Sequence, residues 1–385
     1  MGEHTAKDFD ISLDANVRDT LTILSSPNGN TAWISNRAAS VENLEMVTPD
    51  GRLARMVFGN GDAAHFLSTK ENRAREAPLV YDKKEHLAAS VQRNKALMSG
   101  GVPITFFPGR LQGGQFCFLQ SDGSYVTHAL PVNNAQSGSL LHFGPGKDVY
   151  FDRLPAQATP EGATVTYGRS ITLGDVQARI GIKYTLTDGG LNREVTVINS
   201  GEKSCTIPMS DHGSILPGNG TLEDLTVSFD STGKFELTPS GRQFAKLATG
   251  RFIADSDDLP FLPKGMPVVE DIEAMYHLGQ EKIVDVINRK SNIGLRITGD
   301  QSSRVMYFWN HVTGNDSFQK LFVSPQIYMG PPTAAISAPA FNTPAQMREM
   351  HELFRQGNFC RIDSGEKRVF NQSYKAFNQI SNTKP

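Results

Sequence analysis

Residues 163–199 read ATVTYGRSITLGDVQARIGIKYTLTDGGLNREVTVIN, and this stretch decides the fold class. Over 163–187 apolar residues recur mostly at every second position, which is the period of a β-strand with one buried face. The same alternation resumes over 191–199. The link between them, Thr187-Asp188-Gly189-Gly190, is typical of a tight hairpin turn. The stretch therefore predicts long antiparallel strands joined by a hairpin.

The rest of the chain repeats this pattern in shorter pieces. The 385 residues include 35 glycines and 21 prolines, which separate short apolar segments. Many short strands at regular spacing are typical of an all-β sandwich or barrel. Further strands are predicted at 225–229, 293–298, 304–309 and 320–324.

Helical signals are few. Thr343 can cap a helix that begins at Pro344, Gln346 completes a capping box, and Gly357 can end it. These residues predict a helical insertion at about 343–357, and a second helix is expected over 84–97. No repeat or linker divides the sequence, so we interpret 1–385 as one domain with a core of about 15–380.

Composition excludes several classes of partner. Lys plus Arg number 38 and Asp plus Glu number 40, so the formal net charge is -2. A chain without a basic field does not bind nucleic acid or an anionic membrane by charge, and we expect neither partner. No apolar run is long enough to cross a membrane, and no secretory leader is visible. Three widely spaced cysteines predict neither disulfides nor a zinc site, so the cytoplasm is the expected compartment.

Candidate site residues fall in loops rich in glycine and proline. The segment Gly100–Arg110 ends in an arginine that suits a sugar hydroxyl or a carboxylate. His128 follows a short predicted strand, and its ordinary pKa suits proton transfer near neutrality. Asp211 and His212 are adjacent, so in a strand they must face opposite ways. Each of these residues, taken alone, also fits an ordinary structural role.

A second group lies near the end of the chain. Trp309 has a flat apolar face that suits a sugar ring, although a core position fits it equally well. His311 follows it closely. The later segment Ser324–Pro332 reads SPQIYMGPP. The sequence contains no phosphate-binding loop, dinucleotide fingerprint or hydrolase signature, and no metal or organic cofactor is expected.

In this order, these segments resemble the galactose mutarotase-like (aldose 1-epimerase) superfamily, and most of all its hexose-6-phosphate mutarotase branch. Gly100–Arg110 is similar to a GGxPI-aromatic-P motif, Thr127-His128-Ala129 to an HGFAR motif, and Met209–His212 to the strand that ends in a second histidine. Ser324–Pro332 is similar to an EPW-x-GPP segment. The resemblance covers about 15–380 and implies a large antiparallel β-sandwich, or supersandwich, with a few short helices and a sugar-binding cleft.

The resemblance also implies roles for individual residues. In the family a histidine and a glutamate move protons while the sugar ring opens and recloses at the anomeric carbon. His212 matches the acid, His128 the other active-site histidine, and Arg110 a substrate-binding arginine. Trp309, His311, Ser324 and Gln326 are expected to bind substrate.

The sequence departs from the family at the base. Ser324 stands at the position of the catalytic glutamate, and a serine of ordinary pKa is a poor base. Asp211 and His311 are candidate replacements. Three interpretations follow: a sugar isomerase of the mutarotase type, a repurposed enzyme that isomerises or cyclises a non-sugar small molecule, and a non-catalytic carbohydrate-binding protein. The oligomeric state is not predicted.

Overall fold

A computed structural model describes most of the chain. The described residues are 3–14, 17–59, 101–108, 110–119, 125–130, 132, 139–141, 149–174, 176–239, 246–254, 272–310, 322–329 and 361–378. They fold almost entirely as β-strands. The one helix among them is a 3-10 turn at Leu222–Asp224. The helices predicted at 84–97 and 343–357 lie outside the described residues. Across these ranges no helix is both long and apolar enough to cross a membrane.

The strands of the described ranges are numbered in chain order. They are β1 Thr5–Asp14, β2 Val17–Ser25, β3 Thr31–Ser35, β4 Val41–Val47, β5 Leu53–Arg55, β6 Ile104–Phe106, β7 Arg110–Gln112, β8 Gln115–Leu119, β9 Tyr125–Ala129, β10 Ser139–Leu141, β11 Asp152–Arg153, β12 Gln157–Thr159, β13 Gly162–Leu173, β14 Val176–Thr187, β15 Gly190–Asn199, β16 Met209–Asp211, β17 Leu225–Phe229, β18 Ser231–Pro239, β19 Lys246–Ala254, β20 Ile272–Leu278, β21 Ile283–Asn288, β22 Ile293–Gly299, β23 Val305–Asn310, β24 Ser324–Met329 and β25 Lys367–Asn378.

Two large antiparallel sheets dominate the architecture. The nine-stranded sheet has the order β11-β13-β14-β15-β25-β22-β21-β17, with β12 also paired to β13. The seven-stranded sheet has the order β19-β18-β20-β23-β24-β16-β6. A five-stranded sheet, β1 to β5, and two ribbons, β7–β10 and β8–β9, complete the described fold. The predicted all-β antiparallel sandwich is confirmed.

The stretch that decides the fold forms the long strands of the nine-stranded sheet. β14 and β15 pair in continuous register from Ala178–Asn199 to Thr187–Gly190, with Asp188 and Gly189 as the two turn residues. Alternate residues of β14 and β15 are buried, as the period of two predicts. They join one continuous hydrophobic cluster that also contains residues of the seven-stranded and five-stranded sheets. The interpretation of 1–385 as one domain stays a prediction.

The other strand predictions have mixed outcomes. β17, β22 and β23 coincide with the predictions at 225–229, 293–298 and 304–309 to within one residue. The strand predicted at 320–324 overlaps β24 only at Ser324, because β24 continues through Pro325 to Met329. Residues 320 and 321 lie outside the described residues. Pro325 has no backbone N–H to donate. It is tolerated in β24 because the residue opposite it on the β16 side lies beyond the end of β16, where the strand pairing has stopped.

Buried tyrosine hydroxyls attach the five-stranded sheet to the nine-stranded sheet. The Tyr167 hydroxyl donates to the backbone oxygen of Ile34 at 3.0 Å. The Tyr184 hydroxyl donates to the backbone oxygen of Ala39 at 2.6 Å. A buried tyrosine hydroxyl needs a partner, and here the partners are a backbone carbonyl of β3 and one of the β3–β4 connection.

A buried ion pair connects the two large sheets. Arg193 of β15 places Nη2 3.1 Å from Oδ2 of Asp211 in β16, and both side chains are at most 1% exposed. The same Oδ2 accepts hydrogen bonds from the Tyr374 hydroxyl at 2.9 Å and from Gln372 Nε2 at 3.2 Å. Burial raises the pKa of Tyr374 well above its ordinary value, so this hydroxyl stays a donor.

The other carboxylate oxygen of Asp211 holds the neighbouring strand. Oδ1 accepts the backbone N–H of Ile327 in β24 at 2.9 Å. Four donors from three strands therefore bind one carboxylate, so its acceptor sites are filled. The arrangement fixes β16 between β24 and the nine-stranded sheet.

We predict that Asp211→Asn destabilises the protein by about 3–5 kcal/mol, because it leaves the Arg193 guanidinium buried without a counter-charge. Urea denaturation measures the loss. The matched control is Asp285→Asn, which breaks the ion pair with Arg296, whose side chain is 46% exposed. That change is expected to cost less than about 1 kcal/mol. Equal losses in the two variants would contradict the structural role given to Asp211.

Candidate functional site: a polar face on the seven-stranded sheet

The outer face of the seven-stranded sheet carries hydroxyl and amide side chains. Asp211 and Met209 face the nine-stranded sheet, so alternation turns Ser210 to the opposite face. Residues that pair across antiparallel strands share a face. The pairs Thr105–Ser210, Ser210–Tyr328, Tyr307–Gln326 and Trp309–Ser324 therefore extend this polar face across four strands.

Most members of the polar face are buried. Thr105, Ser210, Ser324 and Tyr328 have no exposed surface, and Gln326 is 1% exposed. The Oγ1 atom of Thr105 lies 3.0 Å from Oγ of Ser210. Buried polar side chains on the outside of a sandwich are costly unless they have partners or bind something.

One amide on this face has spare hydrogen-bonding capacity. Gln326 Nε2 lies 3.5 Å from Oγ of Ser324, which is at the limit of a hydrogen bond. Its Oε1 is buried and accepts no hydrogen bond in the described part of the chain. A ligand hydroxyl placed here would satisfy that acceptor.

Aromatic residues form the accessible end of the polar face. Trp309 and Tyr307 are half-buried, whereas their β23 neighbours Phe308 and Met306 point into the core and are fully buried. The His212 ring lies 6.3 Å from the Trp309 ring, centroid to centroid, with the two planes tilted by 52°. The structure thus brings together four predicted site residues, which are His212, Trp309, Ser324 and Gln326.

The position of His212 sets its protonation state. Its backbone N–H donates to the Pro103 oxygen at 3.0 Å, so the residue continues the line of β16 beside the segment before β6. Burial lowers the pKa of His212 from 6.5 to about 4. At neutral pH the imidazole is therefore uncharged and able to accept a proton.

The predicted catalytic aspartate lies on the other side of the sheet. His212 faces Trp309, whereas the carboxylate of Asp211 is directed at Arg193 and Tyr374. The opposite orientation expected for these adjacent residues is what the structure shows. Asp211 is thereby a residue that positions β16, and we assign it no proton-transfer role.

Three other predicted residues are placed away from this group or outside the description. His128 is buried in β9, and its Nε2 lies 3.2 Å from the Ser204 oxygen, in the loop that leads to β16. Because a carbonyl only accepts, Nε2 carries the hydrogen. Arg110 pairs with Leu141 in the β7–β10 ribbon, and its side chain lies outside the description. His311 lies outside the described residues.

A separate groove of about 430 Å³ lies on the nine-stranded sheet. Charged and amide residues such as Lys183, Glu194 and Asn371 line it. The site residues predicted from the sequence are not part of this lining. Among the described residues, no three His, Cys, Asp or Glu side chains are grouped to hold a metal ion.

Several members of the polar face could not be singled out from the sequence. Thr105, Ser210 and Tyr328 stand in the quoted segments, but nothing in those segments marks them as site residues. They join the polar face because of the strand register, which depends on the pairing of strands that lie far apart in the chain. Only the alternation around Asp211 and His212 hinted at it.

Comparison of this architecture with solved structures finds the same fold across almost the whole chain. A galactose mutarotase-like protein from Clostridium acetobutylicum superposes with a TM-score of 0.69 at 14% identity, covering 98% of this chain and 99% of that one. Galactose 1-epimerase from Lactobacillus acidophilus gives 0.65 at 13% identity, covering 98% and 100%. An aldose epimerase homologue from C. elegans gives 0.65 at 14% identity, covering 94% and 100%.

The chain has the galactose mutarotase-like fold. This confirms the fold that the ordered motifs indicated. No family model matches the sequence, and no curated protein matches it either. At these low identities the likeness concerns the fold, and the chemistry of this chain rests on its own residues.

We predict that the His212 imidazole titrates with a midpoint near 4, well below the ordinary value of about 6.5. Its folded pKa lies below its unfolded pKa, so between about pH 6.5 and 4 the unfolded chain binds the extra proton and the fold loses stability as pH falls. The loss from this group is at most about 3 kcal/mol. Proton NMR measures the midpoint.

The His212→Asn spectrum assigns the resonance, which is necessary because the pKa of His277 is also lowered to about 4. A His212 midpoint near 6.5 would contradict the buried position of the ring.

Proposed function

We propose that the protein is an isomerase of the aldose 1-epimerase type that binds a sugar on the polar face and moves protons through His212. One observation carries this proposal, namely that a row of buried hydroxyl and amide groups ends beside His212 and Trp309. A sugar presents many hydroxyls and one apolar ring face. This combination of hydrogen-bonding groups and an aromatic side chain is complementary to it.

The proposed reaction opens and recloses the ring. Removal of the anomeric hydroxyl proton and protonation of the ring oxygen break the bond between the anomeric carbon and that oxygen, and a carbonyl forms. Rotation about the next carbon–carbon bond and reversal of the steps give the other anomer. His212 is neutral at pH 7, so it accepts the first proton. The imidazolium that results is a donor for the ring oxygen.

The neighbouring residues bind the substrate in this proposal. Trp309 is half-buried and offers a ring face to the sugar. Gln326 Oε1 accepts a sugar hydroxyl that supplies its missing hydrogen bond. Ser324 binds rather than reacts, because an unactivated hydroxyl is a poor base.

The polarity of this face argues against the repurposed enzyme for a non-sugar compound. An apolar ligand would leave the buried Oε1 of Gln326 without a hydrogen bond. A cleft for such a ligand is expected to be lined mainly by apolar side chains, whereas the described outer face is polar.

A non-catalytic carbohydrate-binding protein is the second candidate. It is favoured by the serine at position 324, where the sequence resemblance implies the family's glutamate, and by Asp211, whose carboxylate is held by four donors on the opposite side of β16. Both observations remove a carboxylate base from the reaction. The two candidates share the binding face and differ in turnover.

We predict that the protein accelerates anomeric exchange of glucose, galactose or one of their 6-phosphates, and that His212→Asn lowers the rate by about 10²–10⁴-fold, the usual contribution of a positioned proton-transfer group. NMR exchange spectroscopy measures the rate for each sugar. The matched control is His277→Asn. That ring lies at the far end of β20, bonded to the Thr232 hydroxyl at 2.7 Å, and its loss is expected to leave the rate within about twofold.

Exchange that never exceeds the buffer rate with any of these sugars would overturn the isomerase proposal. Saturable binding of a sugar without exchange would then support the carbohydrate-binding protein. Equal loss of rate in the His212 and His277 variants would argue against a specific role for His212.

A further inference from the structure

The turn between β3 and β4 holds a buried arginine in a fixed position. Ala38 and Ala39 in this turn have φ values of 51° and 43°, a conformation that alanine adopts only when its surroundings hold it. The Ala38 N–H donates to the Val149 oxygen at 2.7 Å, and the Phe151 N–H donates to the Asn36 oxygen at 2.9 Å. Arg37, between these anchors, therefore has little freedom to move.

The Arg37 guanidinium is buried, and no carboxylate of the described residues offers it a counter-charge. The residue is 5% exposed. Its Nε and Nη1 are buried and have no hydrogen-bond partner, and among the described residues no carboxylate forms an ion pair with it. Its Cζ lies 4.8 Å from the centre of the Tyr150 ring. A cation–π contact offsets only part of the cost of removing a guanidinium from water.

A second cation converges on the same tyrosine. Arg169 is exposed and donates from Nη1 to the Tyr150 backbone oxygen. Tyr150 itself is half-buried. Arg37 therefore contacts the ring of Tyr150, and Arg169 binds its backbone oxygen.

The position of this group relates it to the polar face. The Ala38 oxygen accepts the backbone N–H of Ile104 in β6 at 3.0 Å, and β6 is the edge strand of the seven-stranded sheet. The Arg37 turn is therefore hydrogen-bonded to the strand that carries Thr105. A ligand at Arg37 would lie beside that sheet edge, and its binding does not require the proposed isomerase activity.

We propose that Arg37, above the Tyr150 ring and next to Arg169, is a binding site for an oxyanion, either a phosphate or a carboxylate group of a small ligand. A guanidinium donates in parallel to two oxygens of such a group through Nε and Nη2, which lie on the same edge. An oxyanion on that edge would give the Arg37 Nε the hydrogen bond that it lacks. The negative charge would also neutralise the buried cation.

The test uses inorganic phosphate and acetate as separate probes, with binding measured by calorimetry and by thermal unfolding. We expect saturable binding of at least one anion, and a rise in the melting temperature with its concentration. Comparison of the two probes distinguishes a phosphate site from a carboxylate site. Arg37→Met, which keeps an apolar stem and removes the charge, should weaken binding by at least about tenfold.

Two further variants complete the design. Arg179→Met removes an exposed arginine from β14 and should leave anion binding within about twofold. Arg37→Lys keeps the charge but loses the fork, and it should also weaken binding severalfold. Arg37→Lys keeps the test valid if Arg37→Met does not fold.

Without anion, Arg37→Met should unfold at the same or a higher temperature than the original protein, because it removes an uncompensated buried charge. Unchanged anion binding in both Arg37 variants would overturn the proposal. So would the absence of saturable binding of either anion to the original protein.

Discussion

The ion pair between Arg193 and Asp211 is the contact on which the orientation of the candidate site depends. It is fully buried and crosses the sandwich from β15 to β16. Once Asp211 is directed at the nine-stranded sheet, the alternation of a strand directs Ser210 and His212 away from it. The same carboxylate takes the backbone N–H of Ile327, so β24 is fixed beside β16 and its side chains Ser324 and Gln326 share the outer face.

Burial on that outer face affects both ligand binding and the protonation state of His212. Hydroxyl and amide groups that have lost water gain more from a well-placed ligand than they would at an open surface. The same burial keeps His212 neutral at physiological pH. In the proposed function Ser324 binds substrate, so proton transfer depends on the His212 imidazole.

The sequence was informative where local patterns determine the structure. The alternation over 163–199 and the Asp188-Gly189 turn correctly predicted a hairpin of long strands, because a hairpin is specified by residues that are close in the chain. The order of the motifs identified the fold. The strand predicted at 320–324 overlaps β24 only at Ser324, since β24 continues through Pro325 to Met329 and the Asp211 side chain binds its Ile327 N–H.

Contacts between distant residues were not predictable in this way. Arg193 reads as one more polar position in an alternating strand, although it is buried and paired with Asp211. Thr105 and Ser210 acquire their place in the site only because β6 and β16 pair. Arg37 carries no sequence signal at all, since its burial follows from the conformation of its turn.

The most direct test of the account is whether a sugar contacts the polar face, and the two tryptophans of the chain provide it. Trp309 lies beside His212, whereas Trp33 belongs to the five-stranded sheet. In a proton–nitrogen NMR titration with the sugar that exchanges fastest, the account predicts a saturable shift of the Trp309 indole resonance and an unchanged Trp33 resonance. A saturable shift of Trp33 with no change at Trp309 would contradict it.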